Sequence, residues 1–274
     1  MTTMRNTVSE PVSFEASDLL NLDRLLSDEE RTVREEVNGF VREKIKPYVR
    51  DCGRRRASPE RSYRRWERRD CSGCTSLDTG APGFSAKDIV HKVSRRTSVQ
   101  TELYLEDCRR PSDAILPEAK DLHGPFACLN EARYGIIWGA MGAARDCYEC
   151  ALEYSKSRVQ FGKPIASFQL TQQKLVNMML EINKGTMIAL HIGRMKDKGE
   201  ARPEHISFGK LNNVREAIEI AREARTILGG NGVTLEYPVI RHVNNLESVR
   251  TYEGTDEVHT LVLGQAITGT PAFR

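Results

Sequence analysis

From Phe126 to Ile267 the chain is a near-continuous series of helical periods, and that run constrains the fold more than anything else in the sequence. Residues 126–158, 166–197 and 204–228 each place apolar side chains three and four positions apart, the spacing of one helix face. The interruptions are short: a loop from Val159 to Pro164, Pro203 opening the third helix, and Gly229 and Gly230 at its carboxy-terminal stop. After a turn and residues 239–249, a last helix is expected over roughly Thr255 to Ile267. Long amphipathic helices on short loops describe an antiparallel bundle. In the first helix Gly135, Gly139, Ala140, Gly142 and Ala143 are expected to permit close packing.

Upstream the signals weaken. Residues 1–24 are polar and irregular and read as a mobile tail. Residues 25–49 hold one amphipathic helix, in which Ser27 followed by Glu30 makes a capping box and Pro47 stops the run. Residues 50–82 show neither helical nor strand periodicity and are expected to be disordered. Residues 83–120 alternate like short strands, in FSAKDIVHKV and TSVQTELYLEDC, with few candidate partners. The fold class is therefore mainly α: a carboxy-terminal four-helix bundle over 121–274, one amino-terminal helix and a small β segment.

Composition narrows the function. With 39% hydrophobic and 29% charged residues the chain has enough apolar side chains for a core, and no apolar run approaches a membrane span of about 18 residues. Nine arginines against four acids between Arg50 and Asp70 exceed the whole-chain net charge of +3, so the main body is slightly acidic and gives no reason to expect nucleic acid. Arginines interleaved with Tyr63 and Trp66 could still contact RNA adventitiously. Cys71 and Cys74 have metal-ligand spacing, but no second pair completes a four-ligand site, so no metal is expected. Cys147 and Cys150 share a helix face and read as core thiols. No targeting peptide is evident at the start, which suggests a cytoplasmic setting, or the mitochondrial matrix in a eukaryote.

Taken singly, the candidate site motifs have plain structural meanings. Arg158 in RVQFGKPI could simply complement a helix end, LGGNG at 228–232 could be a helix stop, and Glu253 in TYEGT could be a first-turn charge. Their order and spacing say more. RVQFGKPI, LGGNG, IRHVNNLESVRTYEGT and LGQAITG, in that sequence, resemble the carboxy-terminal signature of acyl-CoA dehydrogenases. GPFACLNEARYGIIWG at 124–139 and the tail from Glu253 to Phe273 look most like glutaryl-CoA dehydrogenase.

The resemblance implies an FAD enzyme that oxidises and decarboxylates glutaryl-CoA to crotonyl-CoA and passes electrons to an electron-transferring flavoprotein. It makes Glu253 the base that removes the substrate α-proton, work that suits a carboxylate in a dry pocket. Gly254 would leave room for the thioester, and Thr255 would meet FAD phosphates at a helix start. Arg158, Gln169, Leu228, Gly229 and Gly230 match residues that hold the FAD of a neighbouring subunit in a homo-oligomer. Phe273 matches a flavin contact, and Leu129, Asn130 and Arg133 match the strip lining the acyl-CoA site. The family's middle-domain motifs and the amino-terminal arginine that reads the distal carboxylate have no counterpart here, so the chain is expected to be a truncated, inactive member. A bundle that oligomerises without flavin is the competing reading.

The arginine-rich segment has an explanation in the gene. Taking the last base of each codon with the first two of the next, Trp66-Glu67 must give Gly and Asp70-Cys71 must give Leu. From Ala57 onward the codons permit FPREI, EMG and GLFG, and Leu77 to Gly83 permit GYGCAG, all resembling the family's amino-terminal domain. Shifted translation of the underlying DNA should therefore yield these motifs, with coding sequence for the flavin domain lying between the codons joined near Gly83. Finding neither would refute the frame-shift reading.

Overall fold

The computed structural model describes residue 16 and residues 18–47, 49, 70–72, 75–77, 80–109, 111 and 123–272. Its main elements in chain order are α1 (Asp28–Phe40), β1 (Asp70–Ser72), β2 (Thr75–Leu77), β3 (Phe84–Asp88), β4 (Thr101–Leu105), α2 (His123–Ser157), α3 (Gln169–Asp197), α4 (Pro203–Leu228), α5 (Val239–Thr251) and α6 (Asp256–Thr268), with a two-residue strand pair, Val159–Gln160 and Lys163–Pro164, in the loop between α2 and α3. Helices α2, α3 and α4 run up, down and up. The fourth position of the bundle is filled by α5 and α6, separated by a break at 252–255. Residues 239–249, which precede the last expected helix, lie within α5.

The core lies along the α2–α4 seam. Ala140, Ala144, Cys147 and Ala151 of α2 face Ala217, Ala221 and Ala224 of α4, all buried, with Met178 and Ile182 of α3 and Leu246 of α5 closing the sides. Side chains this small let two helix backbones approach at the short end of ordinary interaxial distances. The glycines expected to serve that purpose do not: a Cβ at Gly135, Gly139 or Gly142 would meet nothing within 4 Å. They fall on the outer side of α2 because the helical phase that buries Ile137, Ala140 and Ala144 turns them away from α4. Close approach instead requires Gly209, whose added Cβ would lie 2.6 Å from Ile137 Cδ1 and 2.7 Å from Ile192 Cδ1.

One polar residue ties three helices together. Asn213 is fully buried in α4, and its Nδ2 donates to Ile137 O of α2 at 3.1 Å and Gly185 O of α3 at 2.9 Å. In a close-packed interior such a bond fixes register, because any slide of the helices would strand a buried donor.

The amino-terminal helix forms as its start signal dictates. Ser27 Oγ accepts from Glu30 N at 3.2 Å and Glu30 Oε2 accepts from Ser27 N at 2.7 Å, after which the helix continues through a π turn at Val41–Ile45. Arg194 of α3 donates to both oxygens of Glu30, at 2.6 and 2.8 Å, and Lys46 donates to Asp146 of α2 at 2.7 Å. These ion pairs fasten α1 to the bundle.

Two further segments are described in part. At the end of the tail, Asp18 accepts from Leu22 N at 2.9 Å at the start of a 3-10 turn over Leu22–Leu25, in which Leu22 is buried; residues 1–15 and 17 lie outside the described residues. Within 50–82, β1 and β2 pair antiparallel, a local hairpin that needs no apolar period because its pairing is entirely backbone. Residues 50–69, 73, 74, 78 and 79 lie outside the described residues. The expected strands of 83–120 appear as the antiparallel pair β3–β4, from Phe84 opposite Leu105 to Asp88 opposite Thr101.

Replacing Asn213 by Leu should lower stability by about 1–3 kcal/mol, since it removes two buried hydrogen bonds without relieving a charge. Urea midpoints of the two proteins would measure this, and equal midpoints would contradict the register role.

Candidate functional site

The break between α5 and α6 is the chemically unusual point of the bundle. Glu253 sits there with φ of 55°, in the left-handed region, followed by Gly254 at 96°. A non-glycine residue with positive φ persists when its surroundings over-determine it. Here they do: the three successive carbonyls of Tyr252, Glu253 and Gly254 each accept a hydrogen bond from a cation. Lys210 Nζ donates to Tyr252 O and, at 2.5 Å, to Gly254 O, and Arg133 Nε donates to Glu253 O at 2.7 Å.

With its backbone held this way, the Glu253 side chain is left over. Its Oε2 is buried and has no hydrogen-bond partner among the described residues. Glu253 is one of the residues lining a cavity of about 850 Å³ between residues 89–100 and α5, together with Arg95, Ile136, Ser248 and Tyr252. A carboxylate oxygen in that position can accept a proton without first giving up a bond.

The surroundings are built around cations. Lys210 is almost completely buried, and burial pulls its ammonium down to about 8, with Arg133 lowering it further and Glu253 opposing. Arg133 is likewise lowered by burial, against the attraction of Glu253, and its Nη1 donates to Asn130 Oδ1 at 3.3 Å. His259 of α6 is pulled down to about 4, first by burial and then by Lys210 and Arg133. Its Nδ1 lies 3.1 Å from Ser207 Oγ, while its buried Nε2 lacks a hydrogen-bond partner. A Cβ added at Gly254 would come within 2.9 Å of that Nε2, so the glycine is required by space as well as by φ. Asp256 anchors the start of α6, accepting from Arg215 Nε at 2.9 Å and Arg250 Nε at 2.8 Å.

The hairpin β3–β4 reaches the same place. Its connecting segment puts Arg95 N 2.6 Å from Asn245 Oδ1 and Arg95 Nη1 2.6 Å from the Tyr252 hydroxyl, with the guanidinium 5.0 Å from that ring's centre. Ser248 and Ser94 hydroxyls meet at 2.6 Å.

Of the site residues expected from sequence, Asn130, Arg133, Glu253, Gly254 and Thr255 come together here, with Leu129 in the same turn of α2 as Arg133. Thr255 caps α6, its Oγ1 accepting from Val258 N at 3.4 Å. Arg158, Gln169, Leu228, Gly229 and Gly230 gather at the opposite end of the bundle, where Ile165 N donates to Arg158 O at 2.9 Å and Asn231 Nδ2 to Tyr154 OH at 3.1 Å. Along α2 the two groups stand about 36 Å apart, at roughly 1.5 Å per residue from Arg133 to Ser157. Leu228 is buried in the core, whereas Arg158, Gln169 and both glycines are exposed. Phe273 lies outside the described residues.

Sequence reading passed over Lys210, His259 and Arg95. Lys210 carried a signal, since it falls in phase with Ile206, Asn213, Val214 and Ala217 on the buried stripe of α4. A lysine in phase with a core needs a partner there. Among the described residues no group of histidine, cysteine and acidic side chains could hold a metal ion, and no helix is long and apolar enough to cross a membrane.

Comparison with known proteins gives this arrangement relatives. Residues 126–268 match the family model "Acyl-CoA dehydrogenase, C-terminal domain". The crystal structure of glutaryl-CoA dehydrogenase from Mycobacterium smegmatis superposes with a TM-score of 0.72 and 62% identity, over 73% of this chain and 52% of that one. A second Mycobacterium smegmatis glutaryl-CoA dehydrogenase structure, in complex with FADH2, has the same TM-score at 56% identity, covering 73% and 52% of the two chains. The short-chain-specific acyl-CoA dehydrogenase of Megasphaera elsdenii is 33% identical over 70% of this chain and 50% of its own length. This chain thus spans about half the length of the relatives it matches.

The buried imidazole makes stability depend on pH. Below the ordinary histidine range the unfolded chain takes up a proton that folded His259 refuses until about pH 4. Stability should therefore fall as pH drops from about 6.5 towards 4, by up to about 3 kcal/mol from this group. In His259→Gln that part of the pH dependence should vanish from urea midpoints between pH 7 and 5; an unchanged slope would contradict it.

Proposed function

Because this chain belongs to the acyl-CoA dehydrogenase family, matching its carboxy-terminal domain over residues 126–268, we propose that the Glu253 turn is a proton-removing centre for an acyl-CoA of the glutaryl type. The observation that carries the reading is Glu253 itself: its Oε2 is buried without a hydrogen-bond partner among the described residues, and the residue lines a cavity. The likeness at 62% identity to a glutaryl-CoA dehydrogenase supports the substrate class.

FAD suits the residues present in two separate places. At the far end of the bundle Arg158 and Gln169 offer exposed donors, and Gly229 and Gly230 have open space where a Cβ would be, so a nucleotide could approach the backbone. At the near end Thr255 opens α6, whose first-turn amides favour an anion. Since those places stand far apart on one chain, each flavin would be held by two copies. FAD when bound supplies the hydride acceptor. The protein's own part is to hold the thioester beside Gly254, keep the α-carbon against Glu253, and take the proton on the carboxylate while Arg133 and Lys210 keep the turn in place. An electron-transferring flavoprotein would be the electron acceptor by kinship.

Helix α3 supports assembly between copies. Val176, Leu180 and Met187 share one outward apolar ridge, all exposed. The chain should self-associate through the bundle, and a dispersed monomer at micromolar concentration in light scattering would contradict this.

The β structure by the site is small: among the described residues it is the segment connecting β3 and β4 that reaches Tyr252, and the two strands are themselves mostly exposed. The chain as it stands should bind FAD weakly and turn over no acyl-CoA. Purified protein should be colourless or pale, without bleaching on glutaryl-CoA. Stoichiometric yellow flavin that bleaches, with bleaching lost in Glu253→Gln, would overturn the inactivity while upholding the base. Bleaching that survives in Glu253→Gln would overturn the base.

A further inference from the structure

The backbone at the α5–α6 break is held by side chains from two helices distant in sequence. Lys210 of α4 takes the carbonyls on either side of Glu253, and Arg133 of α2 takes the carbonyl of Glu253 itself. Both cations are spent on carbonyls, and the Glu253 Oε2 stays without a hydrogen-bond partner among the described residues. The arrangement costs something: an ammonium that is 2% exposed gives up most of its hydration. Core packing alone would be served better by an apolar residue at this phase of α4.

We propose that Lys210 is the positioning residue of the Glu253 turn: its ammonium fixes the peptides before and after Glu253 so that Glu253 and Gly254 keep their left-handed conformation at the edge of the cavity, and Arg133 completes the clamp. This rests on the reading of Glu253 as the base, but it concerns the geometry of the turn and can be tested without turnover. Lys210 reaches both carbonyls because they converge on one side of the turn, and its position 5.8 Å from the Tyr252 ring centre adds a cation–π contact. The other charged and titratable groups facing it are Glu253, Arg133, Asp256 and His259. A second consequence follows for α6. Thr255, its cap, is joined directly to the clamped Gly254, so loosening the turn should also free the amides of Val258 and His259, which donate to Thr255 Oγ1 and Thr255 O.

The test is hydrogen exchange on the full chain, read by mass spectrometry in peptides covering 250–260 and, as an internal control, 214–228. In Lys210→Met protection of the Tyr252, Val258 and His259 amides should fall by about tenfold or more while 214–228 keeps its protection. Lys210→Arg, which keeps a buried cation, should restore part of it. Unchanged protection in 250–260, or a loss shared equally with 214–228, would overturn the proposal, the latter making Lys210 merely structural. Should Lys210→Met fail to fold, the native chain still decides. Corrected for intrinsic exchange rates, protection in 250–260 should drop as pH is raised through about 8, where the ammonium is lost, and 214–228 should not follow. Parallel behaviour of the two peptides would overturn it. A positive exchange result with active Glu253→Gln would leave the clamp standing and remove the base, so the two readings fail separately.

Discussion

The close seam between α2 and α4 sets everything else in this chain. Ala140, Ala144 and Ala151 against Ala217, Ala221 and Ala224 bring two helix backbones together, and Asn213 fixes their register by reaching into α2 and α3 at once. Arg133 and Lys210 sit near the same end of that seam, one on each helix. They can meet at a single turn of α5–α6 because the seam is narrow and its register defined. A bulkier seam would part the two cations by more than the length of a hydrogen bond.

What the cations hold is a conformation the chain resists. Glu253 at positive φ carries a strain of order 1–3 kcal/mol, and a buried lysine carries a desolvation cost besides. Neither helps the bundle fold. Both leave a carboxylate oxygen without a hydrogen-bond partner among the described residues, on a residue that lines a cavity, and polar groups are stranded in that way at sites where a partner is to arrive. The hairpin β3–β4, through Arg95 and Ser94, braces the same turn from the other side. The bundle therefore reads as a scaffold whose strain is collected in one place.

Much of this was legible in the sequence. The helical periods of 126–228 fixed the three long helices because each buries one continuous stripe, and the Ser27–Glu30 capping box placed the start of α1 to the residue. The order of RVQFGKPI, LGGNG and TYEGT pointed to Glu253, Gly254 and Thr255, which the fold brings together with Arg133. Other features were not legible, for physical reasons. Gly135, Gly139 and Gly142 advertise close packing, but which face of a helix meets a neighbour depends on the partner's position, and here they face outward. Lys210 reads as a surface charge unless its phase on α4 is counted against the core. That two groups of expected flavin residues stand at opposite ends of one chain follows from the up-down-up course of α2, α3 and α4, which periodicity does not report.

The central claim is that the clamped turn presents the Glu253 carboxylate to the α-carbon of a bound acyl-CoA. A crystal structure of the chain soaked with FAD and a non-oxidisable thioether analogue of glutaryl-CoA would test it most directly. The account predicts a carboxylate oxygen of Glu253 within about 3.5 Å of the carbon that stands for the α-position, with Lys210 and Arg133 still on the three carbonyls. An analogue seated elsewhere on the bundle, or a Glu253 carboxylate turned away from it, would contradict the account.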